Sequence, residues 1–145
     1  MSDFLTDWFK WFEKGIEGLD QSSKEKIFSE CGQNCVKRGV AQMYKRFYRE
    51  SGRNLDQFFL DLSKNGYGKG YIVEPGKKYE MSFSSCSCEL HKQGYVNSDC
   101  ICECSRQSII YVMKSIKPDT EIEIEKITTI LSGDKECRFR INLNT

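Results

Sequence analysis

The stretch EIEIEKITTILSGDKECRFRINL, residues 121–143, decides the fold. Glu121-Ile122-Glu123-Ile124-Glu125 alternates charged and apolar side chains without a break, and Cys137-Arg138-Phe139-Arg140-Ile141-Asn142-Leu143 alternates again. A period of two gives each run one apolar and one polar face. Ser132-Gly133-Asp134-Lys135 between them has the composition of a turn. The reading is an antiparallel hairpin whose first strand continues through Ile127 to Leu131. Its apolar face needs a second layer to cover it.

That layer is helical. Just upstream, Ser105 to Ile116 places Ile109, Ile110, Val112, Met113 and Ile116 at helical spacing and is closed by Pro118. Before it, Glu89 to Asp99 is polar, contains Gly94 and reads as a loop. Tyr71-Ile72-Val73, a Pro75-Gly76 turn and Tyr79 to Phe83 read as another hairpin. Ahead of Gly70 the period is helical. Asn54, with Gln57 three residues on, opens a short helix carrying Leu55, Phe58, Phe59 and Leu62, which stops at Asn65-Gly66.

A longer helical region runs from Ser23, read as its N-cap, to Arg49. Its apolar stripe drifts from Ile27, Phe28, Cys31 and Cys35 to Val36, Val40, Met43 and Phe47, which predicts a bend or break near Gly39. Residues Ser2 to Leu19 form an amphipathic helix: Phe4, Leu5, Trp8, Phe9, Trp11, Phe12, Ile16 and Leu19 share an arc of roughly 160°. Its polar face mixes acids with lysines, so it is read as packing on the domain or on a partner subunit, which leaves a homodimer open. The class is α+β: N-terminal helices plus a small antiparallel sheet built from two hairpins with a helix between them. Residues 1–145 are read as a single domain, with 1–20 as the aromatic packing element.

Composition removes several functions. The net charge is +1, from 22 basic and 21 acidic residues mixed along the chain, so no basic stripe points to nucleic acid. Lys45, Arg46, Arg49 and Arg53 read as the solvated face and C-terminal end of a helix. No apolar run approaches the ~18 residues of a membrane span, and no membrane partner is expected. Asp3, Asp7 and Glu13 stand where a signal peptide would be basic and then apolar, which predicts a cytoplasmic location. Gly66-Tyr67-Gly68-Lys69-Gly70 lacks the ending of a phosphate-binding loop. His91 is the only histidine, so neither a Ser-His-Asp triad nor a His-rich metal site fits in one chain.

The chemistry lies in the eight cysteines. Cys31 and Cys35 sit four apart on a helix, which places their Cβ atoms about 5–6 Å apart on one face. Cys86 and Cys88 form a C-x-C, and Cys100, Cys102 and Cys104 a C-x-C-x-C. In a reducing compartment such groups read as ligands or reactive thiols more readily than as disulfides. Cys31, Cys35, Cys86, Cys88, Cys102 and Cys104 are the expected metal ligands, with Zn2+ first because four thiolates satisfy its tetrahedral preference. An iron–sulfur cluster, or no metal, stays open. Cys137 reads as a buried strand thiol. Cys104 and Cys102, at the start of the helix after them, are the catalytic candidates, since the dipole and free N–H groups lower a thiol pKa there. His91 reads as a further ligand or base, and Asp99 and Glu103 as bases or outer-shell partners. A redox switch between C-x-C pairs is a further alternative.

At Cys31-Gly-Gln-Asn-Cys35, Cys86-Ser-Cys88, Cys102-Glu-Cys104-Ser105 and Thr129-Ile-Leu-Ser-Gly-Asp-Lys-Glu-Cys137-Arg-Phe, the chain resembles small, uncharacterised bacterial cysteine-rich proteins. These are related in outline to the L-2-amino-thiazoline-4-carboxylic acid hydrolase family and to 4-vinyl reductase-type small-molecule-binding domains. The resemblance spans about Cys31 to Leu143 and implies an α+β domain that binds a small molecule or a metal in a bacterial cytoplasm. It places Cys31, Cys35, Cys86, Cys88, Cys102, Cys104 and Cys137 on family positions and leaves Cys100 extra. The expected function is metal and small-molecule binding. The alternative is a thiol- or metal-dependent hydrolase of a small cyclic or amide substrate.

Overall fold

Both hairpins form, and they join into one sheet. The computed structural model describes residues 3–66, 68–86 and 88–144. Strands β1 (Lys69–Glu74), β2 (Lys78–Phe83), β3 (Glu121–Thr128) and β4 (Cys137–Asn144) lie antiparallel in the order β1-β2-β4-β3. The hairpins meet through β2 and β4, where Tyr79 faces Ile141, Met81 faces Phe139 and Phe83 faces Cys137. Facing residues of an antiparallel pair point to the same side, so these six side chains build the inner face. The outer face is polar. There Glu80 accepts from Arg138 at 2.7 Å and from Arg140 at 2.9 and 3.0 Å, and Arg138 stacks 4.4 Å from the centre of the Tyr71 ring.

Helices α1 (Phe4–Glu17), α2 (Gln21–Lys37), α3 (Val40–Glu50) and α4 (Leu55–Lys64) precede the sheet; α5 (Glu89–Lys92) and α6 (Cys102–Ile116) separate its hairpins. The α+β class stands, with the helix between the hairpins lying against β3, flanked by α2 and α3, and α4 on β1. Several boundaries differ from the sequence reading, for local reasons. Asp20, not Ser23, caps α2: its carboxylate accepts the Ser23 N–H at 2.7 Å. The expected break falls at Gly39, whose φ of +134° is open to glycine and strained for other residues. Strand β3 stops at Thr128 and not at Leu131. The Thr129 hydroxyl accepts the Ser132 N–H, and the chain turns through a 3₁₀ segment at Ile130–Ser132. The 89–99 loop contains α5, and a 3₁₀ turn over Asp99–Ile101 feeds α6 three residues earlier than Ser105.

The main core joins the inner sheet face to α3, α4 and α6, centred on Phe58, Phe59, Tyr79, Met113, Phe139 and Ile141. A second, smaller core lies between α1, α2 and the 95–101 segment, around Ile16, Phe28, Val96, Cys100 and Ile101. Glu13 pins α1 there. Its buried carboxylate accepts the backbone N–H groups of Asn97 and Ser98, both at 2.8 Å, so the charge is hydrogen-bonded where it is desolvated. Phe9 and Phe12 pack on this core, whereas Phe4, Leu5, Trp8 and Trp11 remain exposed. Among the described residues no helix is long and apolar enough to cross a membrane.

Candidate functional site

The inner sheet face, α2, α3 and α6 do not close completely. They leave a cavity of about 490 Å³, within the size range of small-molecule sites. Its wall is mainly apolar: Val36, Tyr44, Phe58, Met81, Ile109, Val112, Met113 and Phe139 contribute to it. Seven of the eight cysteines also line it, namely Cys31, Cys35, Cys86, Cys88, Cys102, Cys104 and Cys137. Cys100 does not. It is buried in the second core, where the Ser98 hydroxyl donates to its sulfur at 3.2 Å.

Each thiol reaches the cavity for a local reason. Cys31 and Cys35 share a face of α2 through their four-residue spacing. Cys137 shares the inward parity of Phe139 and Ile141 on β4. Cys102 and Cys104 fall in the first turn of α6, and Cys86 and Cys88 lie between β2 and α5. Gly32 sets how near α2 and α6 come. A Cβ built on Gly32 would stand 2.7 Å from the Cys104 carbonyl oxygen and 2.9 Å from the Ser108 nitrogen. The Ser108 hydroxyl fastens this contact by donating to the Gly32 carbonyl at 2.9 Å.

Cys102 and Cys104 lie on a helix and not in an extended segment. On a helix, residues two apart are rotated by about 200°, so Cys102 and Cys104 diverge. Burial pushes the Cys104 thiol up to about 12, and the charges of Cys31, Cys35 and Cys88 push the same way. Burial pushes Cys102 up to about 11, against a hydrogen bond with Thr129 and together with Cys137 and Cys86. Cys137 is raised by burial first and by Cys86 among its neighbours, although the Ile130 N–H donates to its sulfur at 3.4 Å. The seven cysteines thus line one cavity without three of them converging at a single point.

These shifts oppose the expectation of an activated nucleophile at the start of α6. Cys102 and Cys104 do occupy the helix's first turn, but burial raises both thiols where the expectation was a lowered one. For a metal, the donor type suits zinc, yet the separations do not suit it as they stand. Among the described residues no three Cys, His, Asp or Glu groups are close enough to hold an ion.

The remaining polar candidates serve the fold. His91 donates from Nδ1 to the Val96 carbonyl at 3.1 Å and is not part of the cavity wall. Glu103 is buried, and both its carboxylate oxygens accept from Arg106 Nε at 2.8 Å, while the other two Arg106 nitrogens donate to Glu25 and the Ile124 carbonyl. Asp99 accepts from the Ser132 hydroxyl at 2.8 Å. Sequence reasoning missed Cys137 as a cavity thiol and Gly32 as the contact that draws the helices together. The parity of Cys137 with Phe139 was the available signal for the first; Gly32 gave none, since its partner lies 72 positions away at Cys104.

No protein-family model matches the chain, and no curated protein matches it. Among solved structures it is similar to a trafficking protein particle complex subunit 3 from Naegleria fowleri, covalently bound to palmitic acid. That chain is 13% identical, with a TM-score of 0.47, and the alignment covers 97% of this chain and 93% of the other.

Proposed function

We propose that this chain is a small-molecule-binding domain that takes a compact apolar ligand into the thiol-lined cavity. The observation carrying the proposal is the cavity itself: about 490 Å³, apolar-walled, with thiols and the hydroxyls of Ser85, Ser105 and Ser108 as most of its polar groups. Such a wall offers dispersion and desolvation rather than a fixed pattern of hydrogen bonds. It therefore selects by size and apolarity. The resemblance to 4-vinyl reductase-type small-molecule-binding domains and a cytoplasmic location belong to the same proposal, as thiols in such number stay reduced there.

A second reading, that the thiols hold a metal ion with zinc first, is supported by seven cysteines lining one space. The hydrolase alternative draws less support, because the two candidate nucleophiles are raised and not lowered.

Binding of a neutral apolar fluorophore, Nile red, to the reduced chain tests the proposal. Straight-chain alcohols should displace it with affinity rising about fourfold per CH₂, the equivalent of ~0.8 kcal/mol, until the cavity is full. Ile109→Trp, which fills the cavity from α6, should remove at least about nine-tenths of the binding, while Trp11→Ser on the exposed face of α1 should leave it intact. Displacement without chain-length dependence, or binding that survives Ile109→Trp and disappears with Trp11→Ser, would sink the proposal.

A further inference from the structure

A large apolar surface lies apart from the cavity. On α1, Phe4, Trp8 and Trp11 are 69%, 43% and 60% exposed, and none of them lines the cavity. We infer that this surface is a homodimer interface, in which α1 pairs antiparallel with α1 of a second copy of the chain, about a two-fold axis between Trp8 and Trp11. The pairing is independent of what the cavity holds.

The helix carries two distinct apolar faces. The domain covers one of them: Phe9, Phe12 and Ile16 belong to the second core, and Glu13 anchors the helix there. At ~100° per residue, Phe4, Trp8, Trp11 and Gly15 fall within about 60° of one another, roughly 110° around the helix from that covered face. Their 4-3-4 spacing is that of the a and d positions of a coiled coil, a seam that buries itself against another helix.

The seam complements itself in one direction only. In an antiparallel pair centred between Trp8 and Trp11, Trp8 faces Trp11 of the second copy. Phe4 faces Gly15 of the second copy, where a Cβ would meet nothing within 4 Å and the ring has room. Asp7 and Lys14 lie along one edge of the seam, seven residues apart. The two-fold axis sets that edge against itself, so Asp7 of each copy meets Lys14 of the other. Both side chains tilt toward the N-terminus of their own helix, and therefore toward each other. Among the described residues neither has an ion-pair partner within the chain. A parallel pair would set this charged edge against Leu5 and Phe12, and Gly15 against Gly15 across a gap.

The exposed area sets the strength. The three aromatic side chains leave roughly 400 Å² open in each copy, so a pair covers about 800 Å² before Leu5 and the edge charges are added. That is the low end of specific interfaces, and a reversible dimer with micromolar dissociation is expected.

Sedimentation velocity of the reduced chain, from about 1 to about 300 µM, spans that range and tests the pairing. The wild type should pass from monomer to dimer across it. Trp11→Ser should weaken the dimer more than about tenfold, while retained Nile red binding shows that the chain is folded. Asp7→Lys and Lys14→Asp should each weaken self-association about tenfold, because each sets like charges together at both ends of the pair. Mixed one to one, these two variants should form a heterodimer as tight as the wild-type dimer. The double variant Asp7→Lys/Lys14→Asp should self-associate as the wild type does. Only a pairing that sets Asp7 against Lys14 gives both rescues. A wild type that stays monomeric throughout overturns the proposal, whether α1 then binds phosphatidylcholine–phosphatidylglycerol vesicles or nothing. A dimer that survives Trp11→Ser, or single charge variants that associate as the wild type does, overturns it as well.

Discussion

Gly32→Val should lower the stability of the folded chain by about 3 kcal/mol and at the same time abolish Nile red binding. The first effect follows from where a Cβ at this position would go: 2.7 Å from the Cys104 oxygen, 2.9 Å from Gln107 Cβ and 2.9 Å from the Ser108 nitrogen. Two of those atoms are α6 backbone and cannot swing aside, so the helices must separate. Helix propensity works the other way, because removing a mid-helix glycine returns a few tenths to about 1 kcal/mol, but it is the smaller quantity. The second effect follows because α2 and α6 form two walls of the cavity, and Cys104 would part from Cys31 and Cys35. Gly15→Ala in α1 is the control: a Cβ there meets nothing within 4 Å, so the propensity gain should appear alone, as a stabilisation of up to about 1 kcal/mol. Urea denaturation of both variants checks the pair of signs. A Gly32→Val protein as stable as the wild type would mean that the helices do not touch at this residue.

Phe59→Ala should be the most damaging truncation in the main core, at about 4 kcal/mol. Phe59 is fully buried, stacks on Tyr79 with centroids 4.3 Å apart, and meets Phe58 edge-on at 5.2 Å. Tyr79 is itself fixed, since its hydroxyl donates to Asp56 at 2.6 Å and cannot follow a collapsing neighbour. The space left by the ring therefore persists, which places the cost near the upper end of the usual range. With typical domain stabilities of ~5–15 kcal/mol, such a loss removes a large share of the total. Phe58 lines the cavity from the same helix, so Nile red binding should weaken as well. Leu60→Ala, one residue on but exposed, should cost no more than about 0.5 kcal/mol by the same measurement. Equal losses at Phe59 and Leu60 would contradict the placement of α4.

The sheet was legible because alternation is a direct imprint of its two faces. Ile122 and Ile124, and Phe139, Ile141 and Leu143, form one apolar side, as their alternation implies. The break at Gly39 and the Asn54 cap were legible for the same reason: each is a local rule with a local partner. The cysteine geometry was legible in part. That the thiols gather at one cavity followed from their clustering; how adjacent ones are oriented depends on the local backbone. A C-x-C keeps its sulfurs on one side only in an extended segment, and Cys102 and Cys104 lie on a helix that starts three residues before Ser105. That start was hidden because Ile101 offers no side-chain cap, and the true signal, Ser98 capping a preceding 3₁₀ turn, lies upstream. The Gly32–Cys104 contact and the burial that raises the Cys102 and Cys104 thiols are tertiary facts, with no local trace.

The most direct test of the thiol-lined cavity as the ligand site is the alkylation rate of each cysteine, followed by mass spectrometry on the native, metal-free, reduced chain. The rates are compared with and without saturating Nile red. A bound probe should slow modification at Cys86, Cys102, Cys104 and Cys137, which line the cavity, and leave Cys100, buried in the second core, unchanged. Unaltered rates at those four cysteines while the probe is bound would place the ligand elsewhere and contradict the account.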